Sequence, residues 1–168
     1  QGAKWKDVAI SEIHSKGCCF NINTQILSKN KSTSISDLKK GNEISYFNLN
    51  EDEIVEAEIV KTAKQIHHTL LKVSTKNKTI ELTPTHPLHF KDHGFISLYD
   101  LKKKFKINNY QDLIENLEVL VWNNEKQKSE YQKLIEIKKI NGEFETHTIL
   151  ELDIGKTYIA NGFVTSVY

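Results

Sequence analysis

Lys16-Gly17-Cys18-Cys19-Phe20 near the start, and Leu82-Thr83-Pro84-Thr85-His86-Pro87-Leu88 in the middle, decide how this chain is read. The first stretch carries the only two cysteines of the sequence. The second carries its only two prolines, one on either side of Thr85-His86. An isolated cysteine is usually a small buried hydrophobe. Here both thiols follow a glycine and stand outside any helical or alternating apolar pattern, which favours a chemical role. Prolines donate nothing to a sheet ladder, so the segment around His86 leaves the sheet or lies at an edge.

The pattern on either side is that of strands. From Phe20 onward Ile22, Thr24 and Ile26 alternate with polar residues, which predicts a strand with one buried face. Ser34 to Gly41 reads as a short capped turn closed by glycine. Residues 43–47, 54–64, 67–74 and 78–82 follow as strands, and Thr75-Lys76-Asn77 between the last two reads as a hairpin turn. Residues 94–98 return to strand, and residues 105–117 are the best helix candidate. Residues 118–122 form a short strand. Asn141-Gly142 predicts a two-residue turn between strands at 134–140 and 144–152. The last strand or hairpin covers residues 158–164. Many short strands with turn signals every eight to twelve residues or so point to an all-β closed or folded-over sheet.

At 168 residues the chain is long enough for one domain with its own core. Its net charge of +1, with both signs interspersed, gives no electrostatic case for nucleic acid or anionic lipid. The run Lys102-Lys103-Lys104 is read as a solvated face. No apolar stretch approaches a membrane span. The opening Gln1 to Lys6 lacks a signal-peptide layout and reads as a cut from a longer chain. A ring between adjacent cysteines is strained, so a Cys18–Cys19 disulfide is not expected and no oxidising compartment is implied.

The residues permit one specific chemistry. A cysteine thiol can attack the carbonyl immediately before it through a five-membered ring, converting a peptide bond into a thioester. Folding has already removed most of the entropy that such a step would lose. It needs thiolate character at sulfur, a proton for the departing nitrogen and donors for the charged oxygen. Cys19 supplies the sulfur and Cys18 the acyl carbon, while His86 and Thr83 are the groups expected against that bond. Residues three apart in an extended segment face opposite ways, so the prolines must bend the segment for Thr83 and His86 to converge. His67, His68, His89, His93 and His147 are read as packed or surface residues. There is no CxxC pair, and a strand would split the directions of His86, His89 and His93, so no structural metal site is expected. Zinc bridging Cys19 and His86 would inhibit by occupying the thiolate.

These stretches match a known family. Cys19-Phe20 with Thr24-Gln25-Ile26, then Ile35 with Asp37-Leu38-Lys39-Lys40-Gly41-Asn42-Glu43-Ile44, resembles the N-terminal block of Hint domains: inteins, bacterial intein-like domains and the hedgehog autoprocessing domain. Leu82 to Leu88 resembles their Thr-x-x-His block, and Gly94 to Leu101 the segment after it. Thr148-Ile149-Leu150-Glu151-Leu152 through Thr157 to Val164 resembles the C-terminal block. The blocks occur in family order and together span nearly the whole chain from Cys19.

The resemblance implies a horseshoe-shaped β fold with pseudo-twofold halves, both termini near one centre, and one short helix. It implies an upstream flank at residues 1–18 and the domain proper at 19–168. It further implies an N-to-S acyl shift at Cys19, cleaving the Cys18–Cys19 bond, with Thr83 and His86 activating that bond. No cofactor is implied. The partners are flanking segments of the same precursor, with water or a small nucleophile taking the acyl group. Splicing members end in His-Asn, and those places here hold Ser166 and Val167. The family's Asp in the last block falls on Ile149, and its His on Lys156. The resemblance therefore implies N-terminal cleavage with splicing impaired. Two other readings stand beside it: a Cys-His hydrolase acting on other chains, and a degenerate Hint module used for binding.

Overall fold

The computed structural model describes residues 19–167; the upstream flank expected at 1–18 lies outside the described residues. Thirteen strands are present: β1 (Phe20–Asn21), β2 (Gln25–Ser28), β3 (Lys31–Ser34), β4 (Glu43–Asn48), β5 (Glu53–Ser74), β6 (Thr79–Leu82), β7 (Pro87–Phe90), β8 (Gly94–Ser97), β9 (Glu118–Asn123), β10 (Lys128–Lys133), β11 (Glu136–Leu152), β12 (Thr157–Ala160) and β13 (Phe163–Ser166). Their pairings are antiparallel throughout. The fold is all-β, as the turn spacing predicts.

Strand β5 is the backbone of the arrangement. Over its 22 residues it pairs first with β4 and then with β11 and β6, so one strand joins two groups of strands. The sequence suggested two strands here, at 54–64 and 67–74. They are continuous, because the 17-residue β11 supplies ladder partners along the whole of that stretch. For the same reason Asn141-Gly142 is not a hairpin turn. The pair lies inside β11, opposite Thr69 and its neighbours, and the ladder absorbs it as a register shift between Asn141 and Phe144.

Two-residue hairpin turns lie instead at Lys29-Asn30, between β2 and β3, and at Asn161-Gly162, between β12 and β13. In the second, both residues have positive φ, 49° and 84°, as a turn matched to the twist of the flanking strands demands. The Asn161 side chain adds two tethers: its Oδ1 accepts from the Gln25 amide at 2.7 Å and its Nδ2 donates to the Thr79 carbonyl at 2.9 Å.

The α-helix α1 (Leu98–Lys104) begins earlier than the expected 105–117, and residues Tyr110–Asn116 form a 3-10 turn. The start of α1 is set by Ser97, whose hydroxyl accepts from the Asp100 amide at 3.1 Å. Asp100 in the first turn and Lys102, Lys103 and Lys104 in the last complement the helix dipole. Leu98 and Leu101, three positions apart, bury one face. The 3-10 segment has no side-chain cap and buries only Leu113, which gives it little reason to propagate.

Alternation along the strands divides the apolar residues between two clusters. Ile26, Val119, Val121, Tyr158, Ala160 and Phe163 point into the main core with Phe20, Leu71, Leu82 and Phe90. Leu27, Leu120, Trp122, Ile159 and Val164, one position out of phase, form a second cluster with Phe47 on the other face. Strands β2, β9, β12 and β13 thus bury both faces, which is why they read as near-continuous apolar runs.

Gly155, before β12, has φ +64°, and a Cβ there would stand 2.1 Å from the Tyr46 ring. Tyr46 is the ladder partner of Tyr158. Gly155→Ala is therefore expected to destabilise the domain by about 1–3 kcal/mol, read as a lower midpoint in chemical denaturation. An unchanged midpoint would show that the turn can yield without disturbing Tyr46.

Candidate active site

Strand β1 is only two residues long, yet it is paired on both sides. Phe20 faces His147 of β11 and Leu82 of β6. This insertion carries Cys19 to the end of β6, where Thr83 meets it. The Cys19 amide donates to Thr83 Oγ1 at 2.8 Å, and the Thr83 amide donates to the Cys19 carbonyl at 2.9 Å. The Cys19 amide nitrogen belongs to the Cys18–Cys19 peptide bond. The hydroxyl of Thr83 thus holds the nitrogen that would leave if that bond were cut. Cys18 itself lies outside the described residues.

After Thr83 the chain turns sharply. The His86 amide donates to the Thr83 carbonyl at 3.1 Å, closing a β-turn with Pro84 in its second place, where a fixed φ is favoured. The Tyr99 amide donates to the Pro84 carbonyl at 3.0 Å and ties the turn to α1. Pro84 bends the segment, and the turn brings the His86 backbone onto the Thr83 carbonyl.

The imidazole of His86 is buried. Its Nε2 lies 2.9 Å from Thr165 Oγ1, and that hydroxyl donates to the Pro87 carbonyl at 2.7 Å. One ring face packs on Phe20, with centroids 4.3 Å apart. Since Phe20 follows Cys19, the imidazole stands one residue from the junction. Phe20 in turn meets Tyr158 edge-on, with centroids 6.3 Å apart. Burial pushes the Tyr158 phenol well up, outweighing its contacts to Thr148 and the Ile149 backbone, so it stays neutral.

The sulfur of Cys19 departs from expectation, because it is held in a disulfide. The sequence contains one other cysteine, Cys18.

The remaining expectations separate in space. His89 packs edge-on against Phe95 and lies 3.3 Å from the Tyr131 hydroxyl, and burial lowers its pKa. His93 sits against Phe105. Only His89 lies on β7, with His86 before it on Thr165 and His93 after it, and the three rings face different partners. Among the described residues no group of three or more His, Cys, Asp or Glu is arranged to hold a metal ion. The strand β13 ends at Ser166, which is buried beside Val167. Ile149 is a fully buried core residue and Lys156 is exposed, accepting from the Val167 amide through its carbonyl. Thr165 is the polar residue of this site that the sequence did not single out. A threonine in a strand is too common to signal a contact with histidine, and only the β7–β13 pairing, in which Thr165 faces Leu88, brings it there.

No protein-family model matches the chain, and no curated protein matches it in sequence. Solved structures do. The bacterial intein-like domain from Clostridium thermocellum superimposes with a TM-score of 0.67 at 18% identity, covering 88% of this chain and 97% of that one. The DnaB intein from Synechocystis sp. PCC 6803 gives a TM-score of 0.69 at 18% identity, covering 88% and 96%. The DnaX mini intein from Spirulina platensis gives 0.66 at 16% identity, covering 89% and 99%. With strand order, site geometry and these likenesses together, the chain has the all-β Hint fold found in inteins and bacterial intein-like domains.

Proposed function

We propose that the chain is a self-processing domain that cuts its own backbone at Cys18–Cys19 through a thioester. The observation that carries this reading is the 2.8 Å hydrogen bond from the Cys19 amide to Thr83 Oγ1, inside a buried site that also holds the His86 imidazole. Amides are poor substrates because their nitrogen is not basic. Once sulfur adds to the carbonyl carbon the nitrogen becomes pyramidal and gains a lone pair. A threonine oxygen gripping the N–H fixes the direction in which that lone pair emerges, and a nearby imidazole can protonate it.

The first step uses a reduced Cys19. Its thiol gives up a proton, Sγ bonds to the carbonyl carbon of Cys18, and the C–N bond breaks. The nitrogen takes up a proton, leaving a free amine on Cys19 and a thioester to the upstream segment. This exchange is neutral in mass. Water or another nucleophile then takes the acyl group and returns the thiol, releasing the upstream segment. In this reading Thr83 orients the leaving nitrogen and His86 handles its proton. Ser166 and Val167 stand where splicing relatives carry His-Asn, and neither can cyclise as an asparagine does. The reading is therefore N-terminal cleavage with splicing impaired.

A Cys-His hydrolase acting on other chains fits less well. Cys19 is 0% exposed and His86 2%, so an external peptide has no open thiol to approach. A degenerate module used only for binding would need the Thr83 bond to the Cys19 amide for structure alone, and would not need the His86 imidazole buried against Phe20.

A marker protein fused upstream of Gly17 tests the reading by mass spectrometry. With hydroxylamine added to capture the thioester, the marker is expected to be released as its hydroxamate. Cys19→Ala should abolish release, and His86→Ala should slow it by about 10²–10⁴-fold. A folded fusion that stays intact under these conditions defeats the proposal.

The disulfide makes a second prediction. An oxidised Cys19 cannot attack, so release should require a reductant. A phosphine is the reagent of choice, since it reduces sulfur without capturing the acyl group. Cys18→Ala should remove the requirement while keeping cleavage, with at most an altered rate. Equal release from oxidised and reduced wild-type protein would show that the disulfide does not restrain the sulfur.

A further inference from the structure

We infer that Thr165 is a positioning residue for His86, and that it decides which nitrogen of the imidazole carries the proton. The inference rests on the self-processing reading for its consequence, though not for its geometry. A hydroxyl has one hydrogen to give and lone pairs to receive with. Thr165 Oγ1 lies 2.7 Å from the Pro87 carbonyl oxygen, which can only accept, so the threonine hydrogen is committed there. The same oxygen lies 2.9 Å from His86 Nε2. With its hydrogen used, Oγ1 presents a lone pair to that nitrogen. Nε2 must therefore be the protonated one, and in the neutral ring Nδ1 is left as the basic nitrogen.

The fold makes this assignment rigid. Thr165 is fully buried on β13, and its ladder partner Leu88 follows Pro87 directly. Threonine and carbonyl are thus fixed by the same strand pairing. The Phe20 ring closes one face of the imidazole at 4.3 Å. Turning the ring over would place a carbon against Thr165 Oγ1 and lose a hydrogen bond between two buried groups. The ring is held in one tautomer and one orientation, in the way that an outer partner commonly fixes a working histidine.

The consequence is a division of labour between the two nitrogens. Nδ1 takes the proton from the Cys19 thiol as sulfur attacks, giving an imidazolium whose charge the Thr165 oxygen stabilises at Nε2–H. The imidazolium returns that proton to the departing Cys19 nitrogen and becomes neutral again. Nε2–H is never released. Thr165 touches neither the sulfur nor the scissile bond, and acts only through His86.

Two measurements test this separately. The first uses the non-cleaving Cys19→Ala protein labelled with ¹⁵N at histidine. Its His86 shifts are expected to show a protonated Nε2 and a bare Nδ1. Adding Thr165→Val, which keeps the shape and removes the hydroxyl, should mix the tautomers, and Thr165→Ser should restore the single form. The second measures release from the upstream fusion. Thr165→Val should slow it by about 10–100-fold, as loss of an outer histidine partner typically does, and Thr165→Ser should recover it. The amide spectrum of each variant reports whether it is folded, and Thr165→Ala, which also removes the hydroxyl, serves if valine is not tolerated. A folded valine variant with the tautomer unchanged, or with wild-type release, overturns the inference. A wild-type fusion that never cleaves defeats the self-processing reading instead, and the shifts still decide whether Thr165 sets the ring.

Discussion

The Cys19 amide donates to Thr83 Oγ1 at 2.8 Å while the Thr83 amide donates back to the Cys19 carbonyl at 2.9 Å, and most of the site depends on this pair of bonds. They extend the β1–β6 pairing by one residue beyond Leu82, the last residue of β6. They also set the direction in which the chain enters the fold. Neither residue could be moved alone, because each supplies the other's backbone partner in a place where an unpaired amide would cost about 1–3 kcal/mol. The turn that follows has no free choice either. Pro84 fixes its second position and the Tyr99 amide holds the Pro84 carbonyl from outside, so the His86 backbone is delivered to the Thr83 carbonyl.

Around that junction the long strands serve as a frame. The pairing of β5 with β11 aligns the ladder onto which β1 is added, through Phe20 opposite His147 and Asn21 opposite Thr146. The β7–β13 pairing brings the last strand against the histidine from the other direction. The site is therefore assembled from the beginning, middle and end of the chain, and it cannot exist in any one of the hairpins alone. Its aromatic row of His86, Phe20 and Tyr158 ties the chemistry directly to the main core, so a disturbance of the core would reach the imidazole through a single contact.

What the sequence disclosed follows from how local each signal is. Alternation and turn residues located most strands, because side-chain direction in a strand is a nearest-neighbour property. The bend at Thr83-Pro84-Thr85-His86 was legible because proline restricts φ whatever surrounds it. Asn141-Gly142 misled because a local turn preference competes with the ladder that β5 offers, and the pairing of a 17-residue strand outweighs one dipeptide. The helix was misplaced for the opposite reason. The Ser97 cap is a local signal, but Gly94-Phe95-Ile96 before it reads as strand and drew the boundary past it. The sequence leads one to expect a free thiol at Cys19, whereas its sulfur is held in a disulfide. Thr165 was invisible, since its contact with His86 spans 79 positions and depends on strand order.

If the chain cuts its own backbone as proposed, the disulfide and the buried threonine bear on one question: how such a chain would fold before it reacts. The site's parts come from distant positions, so none of the intramolecular advantage exists until β1, β7 and β13 are all in place. Thr165 adds a requirement of the same kind, because His86 acquires a fixed tautomer only when the last strand has docked. A sulfur held in a disulfide adds one that is chemical and not conformational. Proximity alone would make cleavage follow folding at once. On the proposed reading a caged sulfur would separate the two events, and the folded precursor would persist until the sulfur is reduced. The order of events is then set by which condition is met last. In a reducing environment that is the docking of β13, and in an oxidising one it is the reduction of Cys19.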